Sequence, residues 1–86
     1  MASYSMTCQM SPGEVVDRAL TFFGRGRCGL QVSVRGNRYL RFTDHGYVQV
    51  SVRGGSSETI VDLDTCLWDQ QVRQFMAALA AAAHTD

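Results

Sequence analysis

Apolar residues recur at two different spacings along the chain, and the switch between them marks its elements. Ser11-Pro12-Gly13-Glu14 has the form of a capping box, with serine at the N-cap, proline in the first helical position and glutamate three residues on. Val15, Val16, Ala19, Leu20, Phe22 and Phe23 follow as a stripe at helical spacing, with Glu14 and Arg18 on the other side. The pattern predicts a helix that Gly24 closes in the left-handed conformation. A second helix is expected after Asp64 or Thr65, either of which can cap it. Trp68, Val72, Phe75, Met76, Leu79 and Ala83 share one of its faces. Its alanine-rich end is expected to fray into residues 84–86.

Between the helices the period falls to two. Leu30–Arg35, Tyr39–Thr43, Tyr47–Arg53 and Glu58–Leu63 each read as a half-buried strand. Gln-Val-Ser-Val-Arg-Gly occurs twice, at 31–36 and 49–54, as two copies of one strand solution. Register follows from the apolar set. Val32 and Val34 share a face with Leu40 and Phe42 if the connection through Gly36-Asn37-Arg38 is of odd length. The Asp44-His45-Gly46 loop pairs Phe42 with Val48 and Leu40 with Val50, and the turn at 54–57 sets Val52 beside Val61 and Val50 beside Leu63.

The expected fold is α+β. A four-stranded antiparallel meander carries an N-terminal and a C-terminal helix on one face, in the order α-β-β-β-β-α. Tyr4, Met6, Cys8 and Met10 alternate with polar residues, so residues 3–9 are a candidate extra edge strand, and residues 1–10 are otherwise flexible. Residues 1–86 make one domain, and Val32, Val34, Leu40, Phe42, Val48, Val50, Val52, Val61 and Leu63 form the sheet's apolar face.

Composition changes the picture mainly through charge. All eight basic residues are arginine, and the formal net charge is zero. Residues 18–53 hold seven arginines against Asp44 alone, whereas the segments before and after are net acidic. Arginine without lysine suits planar, bidentate pairing, although a GC-rich genome produces the same bias.

The sheet face turned from the helices is expected to carry Gln31, Ser33, Arg35, Tyr39, Arg41, Tyr47, Gln49, Ser51, Arg53, Ile60 and Asp62. Two functions suit such a face. Arginines interleaved with tyrosines suit single-stranded nucleic acid or another polyanion, bound weakly through Arg35, Arg38, Arg41 and Arg53. Asp62 and Asp64 on the same face instead suit a protein partner, most simply a second copy turned by a two-fold axis. The acids favour the second reading. It gives a small non-catalytic interaction module that meets a protein, most simply a second copy in a homodimer, through this face or a sheet edge, with Arg35, Tyr39, Arg41, Tyr47, Arg53 and Asp62 as partner-binding residues. An ordinary solvated face with cross-strand pairs is the plain alternative.

Catalytic signals are weak. Gly24-Arg25-Gly26-Arg27-Cys28-Gly29 spells G-x-G-x-x-G but follows a helix and precedes a strand, the reverse of a phosphate-binding turn. Arg25 and Arg27 beside Cys28 would lower its thiol pKa, although a small buried cysteine is the commoner case. Cys8, Cys28, Cys66, His45 and His84 lack metal-ligand spacing. No catalytic residue, cofactor or metal is expected. Three unpaired cysteines suit a reducing compartment, hence the cytoplasm, and no apolar run is long enough to span a membrane. The opening MASYSMTCQM lacks the basic start and apolar stretch of a secretory signal. In order of elements alone, four antiparallel strands followed by a helix resemble the Whirly-type single-stranded DNA binders.

Overall fold

A computed structural model describes residues 2–54 and 58–83. Its elements run β1 (Ala2–Cys8), α1 (Pro12–Phe23), β2 (Gln31–Arg35), β3 (Tyr39–Thr43), β4 (Tyr47–Gly54), β5 (Thr59–Cys66) and α2 (Asp69–Ala83). The architecture is α+β, with five antiparallel strands in the order β1-β5-β4-β3-β2 and two helices. The N-terminal alternation does make a strand. Tyr4 and Met6 pack against the core, Cys8 and Met10 are buried, and β1 pairs with β5. The expected fraying at 84–86 lies outside the described residues, as does the centre of the β4–β5 turn.

Sequence dictates the first helix closely. Ser11 Oγ accepts from the Glu14 N–H at 3.2 Å, and Pro12 opens α1. Val15, Val16, Ala19, Phe22 and Phe23 are buried over β3 and β4. Gly24, however, ends the helix at φ −85°, not in the left-handed region. Its N–H still reaches the Leu20 carbonyl, and a Cβ at Gly24 would collide with that oxygen. The glycine is therefore needed for close approach rather than for a positive φ.

The second helix begins later than expected, at Asp69. Asp64 and Thr65 belong to β5, where Thr65 Oγ1 donates to the Tyr47 carbonyl at 2.9 Å. The turn into α2 is made by Leu67, at φ +78° and 73% exposed. Trp68 is half-buried and donates from Nε1 to the Asp44 carbonyl at 3.0 Å. Val72, Phe75 and Leu79 then face the core. Phe23 is its aromatic centre, with ring centroids 5.0 Å from Phe75, 5.1 Å from Phe22 and 5.5 Å from Phe42.

The register matches expectation at Leu40–Val50, Phe42–Val48, Val50–Leu63 and Val52–Val61. Gly46 (φ +136°) turns the β3–β4 loop, with His45 also at positive φ. The exception is β2. Its connection to β3 is a tight turn closed by Gly36 N–H to the Tyr39 carbonyl, which sets Arg35 opposite Leu40 and Val34 opposite Arg41. A bulge between Val32 and Val34 absorbs the mismatch and returns Val32 to Phe42. Val34 is thereby moved to the open face and Arg35 to the helix side, the reverse of the alternation. Nor are Val32 and Val34 core residues: β2 extends past the helices, and these two valines are 41% and 46% exposed.

Candidate interaction surface on the open sheet face

Directly opposite residues in antiparallel strands point to the same face, so the register lays the open face out in rows. One row runs Val34, Arg41, Gln49, Asp64 and Ser3 from β2 across to β1. A second runs Tyr39, Ser51, Asp62 and Ser5, and a third joins Arg53, Ile60 and Thr7. Tyr47 stands between Thr43 and Cys66. Of the candidate residues, Tyr39, Arg41, Tyr47, Arg53 and Asp62 therefore share this face. Arg35 does not, because the bulge turns it away.

Most of the polar groups are already engaged within the chain. Arg53 Nε donates to Asp62 Oδ2 at 2.9 Å, and Ser5 Oγ donates to Asp62 Oδ1 at 2.9 Å. These two bonds hold the Asp62 carboxyl below the usual carboxylate range. Arg38 caps the Gly54 carbonyl at 2.9 Å. On β3 and β4, Gln49 Oε1 accepts from Tyr39 Oη at 2.7 Å and from Arg41 Nη1 at 2.8 Å. The Arg41 guanidinium lies 4.9 Å from the Tyr47 ring centroid, within cation–π range.

Charges on the central row are only half balanced. Arg41 is fixed by an amide and a ring, and no carboxylate pairs with it among the described contacts. Asp64 accepts from the Ser3 hydroxyl and makes no ion pair among the described residues. The two flank Gln49 on opposite sides of β4. The sequence puts Asp64 on this face outside the six partner-binding candidates, and it does not show the role of Gln49. Alternation along β4 was the available signal, since it aims Gln49 at the same face as Tyr47 and Ser51.

Elsewhere, Tyr4 Oη donates to Asp69 Oδ2 at 2.8 Å and ties β1 to the first turn of α2. That bond to a carboxylate raises the Tyr4 pKa. Cys28 is half-buried, and burial pushes its thiol up. Arg27 opposes the shift and is outweighed, so the lowered pKa expected from neighbouring arginines is not found. Among the described residues, no three His, Cys, Asp or Glu side chains converge as metal ligands, and no helix is long and apolar enough to cross a membrane. No protein-family model, curated protein or solved structure matches this chain.

Proposed function

We propose that the protein is a non-catalytic interaction module that self-associates through its open sheet face. The observation that carries this reading is the unbalanced pair on the central row, with Arg41 and Asp64 flanking Gln49. A two-fold axis lying along β4 between two facing sheets sets β3 of one copy over β5 of the other. Arg41 of each copy then meets Asp64 of its mate, twice. Both charges already sit in fixed surroundings, Arg41 by Gln49 and Tyr47 and Asp64 by Ser3, so little side-chain freedom is lost on pairing.

Five strands about 4.8 Å apart and about 20 Å long give a face on the order of 500 Å² per copy. A total near 1,000 Å² lies at the small end of specific interfaces, which suits a weak and reversible dimer. Tyr39, Tyr47, Ile60 and Val34 supply its apolar contact. The polyanion reading loses support from the same contacts. Arg53 is paired with Asp62, Arg38 donates to a carbonyl and Arg35 lies on the other side, so of these four arginines Arg41 alone keeps an unbalanced charge on the face, across Gln49 from an acid, Asp64. Light scattering against protein and salt concentration tests the reading. The expected result is a dimer that salt weakens and an added oligonucleotide leaves unchanged.

A further inference from the structure

We infer that the free edge of β2 is a strand-addition site for an extended acidic peptide segment of another protein. β2 is a terminal strand of the sheet, and all five of its residues are exposed. Its neighbour Gly36 turns its N–H inward to Tyr39, so the alternation of the ladder aims the Arg35 N–H and C=O at the free edge. On the helix side the edge opens into a groove of about 760 Å³ between the end of α1 and β2. Leu20, Leu30 and Val32 give that groove apolar walls, and Arg25 lines it as well. A sixth strand would bond to the backbone of β2 and seat one apolar side chain in the groove, as strand-adding peptides do.

Charge selects the occupant. Residues 25–38 carry Arg25, Arg27, Arg35 and Arg38 and no acid. None of the residues lining the groove is acidic, and Asp17 lies one helical turn before Thr21, at its α1 end. A second copy pairing here would bring its own Arg25 and Arg35 against these two, which is unfavourable. A peptide with an apolar residue flanked two positions away on each side by carboxylates presents all three groups on one face. It meets Arg25, Val32 and Arg35 in turn. The bulge at Ser33, whose Oγ donates to the Arg41 carbonyl at 3.1 Å, irregularly spaces the edge and discourages indiscriminate pairing.

The test is fluorescence anisotropy with a labelled peptide built on Glu-Ser-Val-Ser-Glu. Its comparators are the Lys-Ser-Val-Ser-Lys peptide and the glutamate peptide N-methylated at the residues whose N–H would face β2. The glutamate peptide should bind at least about tenfold tighter than either comparator, because one lacks the charge match and the other the backbone donors. Arg25→Glu with Arg35→Glu, both at exposed positions and verified as folded by circular dichroism, should reverse the preference toward the lysine peptide. Equal binding of the N-methylated peptide would overturn the proposal by reducing it to charge attraction. So would absence of binding by the folded protein. A dimer that Arg35→Pro dissociates, with no peptide bound, would overturn it in favour of a second copy on this edge.

Discussion

Arg53 on β4 and Asp62 on β5 form an ion pair within one chain, Nε to Oδ2 at 2.9 Å, although neither is opposite the other in the ladder. Arg53 faces Ile60 and Asp62 faces Ser51, so the pair is diagonal. Both residues were candidates for contacts between copies. Their engagement inside the chain leaves Arg41 and Asp64 as charges on this face without an ion pair among the described residues.

The ion pair has a pH signature. Asp62 titrates below its ordinary value in the folded chain, so its contribution is present above the unfolded value of about 3.9 and disappears as pH falls through the folded value. The pair is solvent-exposed, and its worth is about 0.2–1 kcal/mol. Arg53→Gln should raise the Asp62 pKa in an NMR titration and narrow the stability difference between pH 6 and pH 3. An unmoved Asp62 resonance would show that Ser5 alone holds the shift.

Aromatic residues should separate by burial. Phe23 is 0% exposed and touches Phe22, Phe42 and Phe75, so Phe23→Ala should cost about 3–5 kcal/mol in chemical denaturation. Trp68 is half-buried and anchored by one hydrogen bond to Asp44, so Trp68→Phe should cost only about 1 kcal/mol. Equal costs would mean that Trp68 is a full core member.

Much of this fold is legible in the sequence because periodicity and burial agree there. The capping box at Ser11, the Phe42–Val48 and Val52–Val61 pairings and the N-terminal strand all follow from local pattern. β2 misleads for a physical reason. The heptad-free alternation of Gln31–Arg35 reads as half-buried, but burial depends on how far the helices reach, and α1 stops over β3. The bulge at Ser33 is equally invisible, since it reconciles a tight turn at Gly36–Tyr39 with the Val32–Phe42 pairing. The start of α2 is displaced because Thr65 satisfies its hydroxyl on the Tyr47 carbonyl and so stays in the sheet. On the candidate site, alternation identifies which side chains share the face. It does not reveal which of them are already paired.

Two backbone positions at positive φ should respond oppositely to substitution. Leu67 sits at φ +78° with its side chain mostly in solvent, where glycine avoids a penalty of roughly 1 kcal/mol. Leu67→Gly should therefore leave the melting temperature unchanged or raise it. Gly46→Ala should lower it, because a Cβ at Gly46 would meet the Cys66 carbonyl oxygen at a φ of +136°. The opposite order would show that positive φ is not what limits either position.

Cys28 should be unreactive for a thiol flanked by arginine. Burial raises its pKa, so little thiolate exists near pH 7. Site-resolved alkylation with iodoacetamide, read by mass spectrometry, should modify Cys28 more slowly than an unstructured peptide of the same local sequence. Faster modification would indicate that the arginines outweigh desolvation.

The central claim is that Arg41 of one copy pairs with Asp64 of another, and charge reversal tests it most directly. Arg41→Glu and Asp64→Arg should each sediment as a monomer, because each juxtaposes like charges across the two-fold axis. A mixture of the two variants restores both pairings, the R41E side chain meeting the D64R side chain and the unaltered Asp64 meeting the unaltered Arg41. Sedimentation velocity at low salt should therefore show a dimer for the unaltered chain, monomers for each folded variant alone and a dimer for their equimolar mixture. An unaltered chain that remains monomeric at high micromolar concentration, or a mixture that remains monomeric while the unaltered chain dimerises, would contradict the account.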